Sequence, residues 1–383
     1  MYASAWPGLS PIDVLRRPRA ARPPFPLDAP RKTYFFRARN ALYHLFKGLG
    51  LGGRDRVLVP DYHSGNEVAA IRAAGAGLTY YPVTRRLEVD LDALARRCTA
   101  DTRAVLVIHY LGWPQPMAEL GAFCRQRGLL LVEDCALSLL SEDGGVPLGA
   151  TGDFSVFCLY KTLAVPNGAV LVDNRPAAPA LGAPALRRCG LAPLAGRTAE
   201  LLLEWLRGRC DAPGRALFAL KRAAGRRLRA AGVERLPVGD MGFDPEQVDV
   251  ALSPLCEALL RRWDYEAIRR RRRENFALLR ERLMGAVPLL KDELPGGACP
   301  LFFPVLAADK AAAARALRSR GVDAVEFWNE GDREAPSFPA ARFLRDHVLE
   351  LPLHQDLSPA QVEYVAEQVL SIPFLHSPKG GLQ

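Results

Sequence analysis

The feature that most constrains this chain is a repeated alternation of short apolar runs with helix-like stretches. Val57–Pro60, Leu78–Val83, Ala104–Tyr110 and Leu129–Val132 read as strands, and Glu67–Ala74, Leu91–Arg97 and Met117–Arg127 as the helices that connect them. The runs are apolar at successive residues, the pattern of strands covered on both faces. Strand–helix repetition of this kind implies an α/β fold with a mainly parallel, doubly wound sheet. Further on, Leu301–Leu306, a helix over Lys310–Ser319, Val322–Phe327 and a last helix over Pro359–Ser371 suggest a smaller C-terminal α+β domain.

Ligands of open α/β sheets bind beyond the carboxyl ends of the strands. Glu133 and Asp134 close the Leu129–Val132 run, which aims a carboxylate at that rim. Phe154–Tyr160 reads as another strand, and it delivers Lys161 just before a Pro166-Asn167-Gly168 turn. A lysine beside a mostly apolar strand loses part of its solvation, which frees its amine as a nucleophile. An acid and an amine on separate strands suit pyridoxal phosphate: the acid holds the protonated pyridine nitrogen and the amine binds the aldehyde. Either residue alone is more often a helix cap or a solvated surface charge. Their surroundings decide between the readings.

Five stretches in order, from about Tyr34 to Leu370, resemble the nucleotide-sugar aminotransferase family (the DegT/StrS group) of fold-type-I pyridoxal phosphate enzymes. They are the segment leading into LGLGGRDRVLVP, then VIHYLGWPQP, VEDCA, GDFSVF with its following lysine and NGAVLV, and LELPLHQDLSPAQVEYVAEQV. The resemblance makes Lys161 the Schiff-base lysine and Asp134 the partner of the pyridine nitrogen. It implies a homodimer that moves an amino group from glutamate or glutamine to a keto acceptor, such as a nucleotide-linked sugar. Several positions depart from the family pattern. Leu137 stands where Gln is usual, and Ser64 where an aromatic residue covers the ring. The family often has Ser five residues before the lysine; Ser155 or Cys158 stands in for it here. Counted without a gap from Cys158, the lysine's place falls on Leu163, yet Lys161 is the only amine in the segment.

Other residues join the candidate site on local grounds. Ala38–Leu49 reads as a helix whose first turn, near Arg39 and Asn40, would offer unpaired N–H groups to a phosphate. Arg39 could add a charge-assisted contact. His63 lies in the turn after Val57–Pro60 and is a lesser candidate for stacking or proton relay. Neither GxGxxG after a strand nor GxxxxGK[ST] occurs, which argues against dinucleotide and nucleoside triphosphate sites.

Composition bounds the rest. The 383 residues suit an N-terminal Pro/Arg-rich arm (1–33), a large cofactor-binding domain (34–255) with a basic helical insertion at about 186–232, and a small domain with a disordered tail (256–383). The net charge of +9 concentrates in Arg187–Arg229 and Arg269–Arg273. Five consecutive arginines on a helix point all ways, so a solvated helix is expected there and no nucleic-acid stripe. The first cluster reads as two amphipathic helices that pack on the core or, as the lesser alternative, touch an anionic membrane. Eight cysteines without CxxC or metal spacing suit a reducing cytoplasm and no metal site. Two readings compete with the sugar aminotransferase: the same cofactor with a non-sugar acceptor or another reaction, and a non-catalytic relative that binds a membrane or protein partner.

Overall fold

A computed structural model describes residues 1–19, 22–210, 216–217, 223, 242–332, 336 and 338–373. Among the described residues the strands are, in chain order, β1 (Lys32–Phe35), β2 (Arg56–Pro60), β3 (Gly77–Tyr81), β4 (Thr102–Ile108), β5 (Leu130–Cys135), the hairpin β6 (Glu142–Asp143) and β7 (Val146–Pro147), β8 (Phe154–Cys158), β9 (Ala169–Asp173), β10 (Phe303–Leu306) and β11 (Val348–Leu351). Seven of them form one sheet in the order β1-β9-β8-β5-β4-β2-β3. Pairing is parallel from β8 through β3, while β9 runs antiparallel to both β8 and β1. The doubly wound α/β expectation is met, with one reversed strand.

Both faces of the sheet are dry, as the apolar runs required. On one face Val57, Val59, Leu106, Val132, Phe154 and Val156 pack under the helices Ala38–Gly48 and Asn66–Ala73. The other face shares a core with the C-terminal part of the chain, where Leu131 and Val105 belong with Phe276, Phe303 and Val365. Local signals set the helix ends. Asp90 accepts the N–H of Ala93 at the head of Leu91–Arg97, and Gly128, at φ 64°, ends Met117–Arg127. Ser358 and Gln361 form a reciprocal capping box before Pro359–Leu370.

Three expectations need correction. Strand β5 continues past Val132 through Glu133 and Asp134 to Cys135, because their carboxylates are partnered inside the fold. Val322–Phe327 forms no strand: Val322 bridges Ala3 and Val325 bridges Glu350, while β10 pairs with β11 instead. In the N-terminal stretch Ala3 and Leu9 are buried in the body, and β1, from Lys32, lies at the sheet edge. Finally, the run Arg269–Arg273 is not uniformly solvated. In the helix Tyr265–Leu283 the apolar Ile268 and Phe276 are buried, as is Trp263 just ahead of it, but Arg272 is buried as well.

Of the basic insertion, the helix Leu191–Arg209 is described, with Leu201 buried against Leu9; the expected second helix lies mostly outside the described residues, as does the tail from 374. Among the described residues no helix is long and apolar enough to cross a membrane. The eight cysteines are unbridged.

Candidate functional site

Strand parity determines which side chains reach the rim. Along β5, Val132 faces the helix Ala38–Gly48, so Asp134 faces the same way and Glu133 and Cys135 the opposite way. In register, Asp134 lies beside Val156, which puts Cys158 on Asp134's face and Ser155 on Glu133's. Asp134 and Cys158 therefore line one cleft with Ala38, Arg39, Ser64, Glu67, Tyr160 and Lys161.

Lys161 reaches the cleft through a single helical turn after β8. Leu163 N–H donates to the Leu159 carbonyl at 2.9 Å, and both leucines are buried in the core on the far side. Residues four apart on such a turn share a face, and the one midway points away from it. Lys161 thus faces the cleft, and Leu163, its gap-free rival, is sealed in the core. Its ammonium lies 5.7 Å from the centre of the Phe327 ring. The Pro166-Asn167-Gly168 turn closes the segment. Gly168 sits at φ 130°, where a Cβ would come within 2.7 Å of Leu252.

The turn is held from outside by Arg272. Its guanidinium donates to the carbonyls of Thr162 (3.2 Å), Pro300 (3.2 Å) and Leu301 (3.0 Å) and to Gln355 Oε1 (2.8 Å). Gln355 in turn donates to the Thr162 carbonyl at 3.0 Å. The residue next to Lys161 is therefore anchored twice by the C-terminal part of the chain.

Asp134 is buried, and its Oδ1 accepts the N–H of Ala136 at 2.9 Å. Burial, reinforced by the Glu67 carboxylate, pushes its pKa up from 3.8 to about 7; the Ala136 N–H and the Lys161 charge pull the other way. Across the cleft the helix Ala38–Gly48 starts without a side-chain cap, with Ala38 and Arg39 at the rim. Arg37 and Arg39 bracket this helix end. Burial, together with the neighbouring Arg39 charge, lowers the pKa of Arg37. The arrangement concentrates positive potential at a helix N-terminus, a setting that binds phosphate.

Not every expected residue arrives. Ser155 points to the opposite side of the sheet, as its register requires. Asn40 donates to the Gln247 carbonyl at 2.8 Å and does not line the cleft. His63 is buried beside Tyr80, its ring nearly parallel at 5.9 Å, and its Nδ1 accepts the Gly65 N–H at 2.9 Å. Burial, with Arg345 nearby, lowers its pKa to about 3, so it stays neutral in its turn and outside the cleft. Leu137 lines a separate apolar cavity with Tyr62, Tyr110 and Trp328.

Glu67 lines the cleft and was not anticipated, although Ser64-Gly65-Asn66-Glu67 has the S-x-x-E spacing of a helix start. Glu67 Oε2 accepts from the Ser64 hydroxyl at 2.7 Å and from its N–H at 3.2 Å. Behind the sheet, His109, Glu133 and Cys135 offer ligand atoms within 4.8 Å of one another. The Glu133 oxygens are already occupied by His109 Nε2 (2.8 Å) and by the N–H groups of Gly149, Thr151 and Gly152. Burial alone would raise the Glu133 pKa, but His109 and these N–H donors outweigh it and hold the carboxyl below its ordinary value. This group is a loop clamp behind the site.

The parallel sheet with one reversed strand has the α/β architecture of the fold-type-I class, and its rim carries an acid near one strand's end and a lysine on the turn after the neighbouring strand. Residues 37–200 match the model of the DegT/DnrJ/EryC1/StrS aminotransferase family, as the sequence resemblance implied. Over 183 residues the chain is 31% identical to a dTDP-4-dehydro-2,3,6-trideoxy-D-glucose 4-aminotransferase of Saccharopolyspora spinosa, covering 46% of each. It is 29% identical over 137 residues to a GDP-perosamine synthase of Vibrio cholerae, covering 35% of this chain and 37% of that one. The matched stretches thus span about half the length of these relatives or less. The fold extends further. It superposes on PseC, an aminotransferase of Helicobacter pylori involved in the biosynthesis of pseudoaminic acid, with a TM-score of 0.68 at 16% identity, covering 97% of this chain and 99% of that one. The aminotransferase TlmJ of Streptoalloteichus hindustanus gives a TM-score of 0.64 at 23% identity, covering 89% and 85%.

Proposed function

We propose that the chain is a pyridoxal phosphate-dependent aminotransferase that transfers an amino group from glutamate or glutamine to a nucleotide-linked keto-sugar.

 The observation that carries this reading is that Asp134, near the end of β5, and Lys161, on the turn after β8, line one cleft that also holds the head of the helix Ala38–Gly48. The sugar substrate is supported by the relatives' names alone.

The side chains present fit pyridoxal phosphate. Asp134 uses one carboxylate oxygen on Ala136 N–H, which leaves the other for a protonated pyridine nitrogen. The Lys161 amine suits the aldehyde, and the helix head with Arg39 suits the phosphate. When bound, the cofactor supplies an electron sink for the donor's α-carbon. Asp134 holds the proton at the ring nitrogen. The Lys161 amine would hold the aldehyde carbon and, when free, would move the proton at the donor's α-carbon. Arg272 and Gln355 hold the backbone next to that amine.

The same reading includes a homodimer, a cytoplasmic setting and the division into arm, cofactor domain and small domain at about 33 and 255. The reading that changes the acceptor draws on Leu137, which turns away from the cleft into an aromatic-lined cavity. Absorption spectra of the purified protein with pyridoxal phosphate, before and after glutamate, test the proposal. A visible band that glutamate bleaches, and that Lys161→Ala abolishes, is expected. No band in the parent protein, or an unchanged band in Lys161→Ala, would overturn it.

A further inference from the structure

We propose that Glu67 is a second acid of the cleft, acting through Asp134 to strengthen the hold on a cationic ring nitrogen, and that Ser64 fixes it in place. The inference rests on the reading that pyridoxal phosphate binds at Lys161. Glu67 and Asp134 line the same cleft although they come from different elements, the head of the helix Asn66–Ala73 and the end of β5. Glu67 is buried, and its Oε2 is immobilised by the Ser64 hydroxyl and N–H at 2.7 and 3.2 Å. Ser64 Oγ also accepts from Asn66 N (3.3 Å) and Nδ2 (3.1 Å), so its hydroxyl is committed to the loop. The helix dipole favours a carboxylate at this first turn.

Two buried carboxylates in one cleft repel each other, and a cation placed between the cleft walls relieves both. The charged and titratable groups facing Glu67 within the cleft are Arg39, Asp134, Cys158, Tyr160 and Lys161. Outside it, Tyr110 and Arg345 also feel its charge. The upward shift of Asp134, to which Glu67 contributes after burial, agrees with this proximity. Glu67 is thus a positioning residue: it adds negative potential where the nitrogen's proton must stay.

The test titrates the protein with pyridoxal phosphate and follows the visible band from pH 6 to 9. Glu67→Gln keeps the shape and the bond to Ser64 and removes the charge. Its band midpoint is expected to move to lower pH by about one unit, with roughly tenfold weaker binding. Glu67→Asp should restore part of both, and a cofactor analogue with carbon in place of the ring nitrogen should bind parent and Glu67→Gln equally. A Glu67→Gln protein that binds and titrates like the parent, while Lys161→Ala still abolishes the band, overturns the role of Glu67 and leaves the cofactor reading standing. A parent protein that takes up no pyridoxal phosphate overturns both.

Discussion

Replacing Asp134 by Asn should stabilise the cofactor-free protein at alkaline pH while it disables the site. An acid whose pKa is raised in the native state keeps a proton that the unfolded chain has lost, so stability falls as pH rises between the two values. For Asp134 the window runs from 3.8 to about 7. At 1.36 kcal/mol per pH unit the charged side chain costs about 4 kcal/mol above pH 7 and almost nothing below pH 4. Asn carries no such charge, and its Oδ1 can still accept the Ala136 N–H, which now lies 2.9 Å from Asp134 Oδ1. Urea unfolding of cofactor-free parent and Asp134→Asn at pH 4.5 and pH 8 reads the difference. We expect the variant to gain about 3–4 kcal/mol at pH 8 and about 1 kcal/mol or less at pH 4.5. A variant no more stable than its parent at pH 8, or one with the same gain at both pH values, would refute the reasoning.

Two further substitutions probe the frame around the cleft. Arg272→Met removes all four hydrogen bonds of the guanidinium and leaves the Pro300 and Leu301 carbonyls unpaired, while Thr162 keeps Gln355. A loss of about 2–4 kcal/mol is expected in urea unfolding, since each orphaned buried group costs about 1–3 kcal/mol and the relief of a buried charge offsets part of it. Gly149→Ala puts a Cβ 2.5 Å from the Phe157 ring and 3.0 Å from Cys135 Sγ at a φ of 91°. It should cost about 2 kcal/mol or more and weaken the Glu133 clamp, a change that hydrogen exchange at the Gly149, Thr151 and Gly152 amides would report.

The sheet was legible because burial on both faces leaves its central strands largely apolar at successive positions, and helices such as Leu91–Arg97, Met117–Arg127 and Lys310–Ser319 fall where their caps and periodicity put them. Strand β11 was not, since Glu350 interrupts Val348–Leu351 with a charge that only tertiary contacts explain: its Oε2 accepts the Phe327 N–H at 3.1 Å. Arg272 was hidden for a similar reason. Nothing distinguishes it from its four neighbours in the run except the phase that turns it toward carbonyls far away in sequence. Ser155 illustrates the reverse case, because the parity that excludes it follows from the register of β8 on β5.

The lysine shows how local geometry settles what spacing alone leaves open. Two positions, Lys161 and Leu163, compete for the same role, and the turn after β8 assigns them opposite faces. Leu159 and Leu163 lie one turn apart and are both buried with Val165 and Trp263, so the core fixes the phase of the turn. With that phase fixed, residue 161 must face away from the core, and the ladder between β8 and β9, extended by the Leu159 N–H on the Gly168 carbonyl at 2.9 Å, sets how far along the rim it stands. A shorter interval therefore does not displace the amine, because apolar burial of the flanking leucines, and no property of the lysine itself, decides where it points.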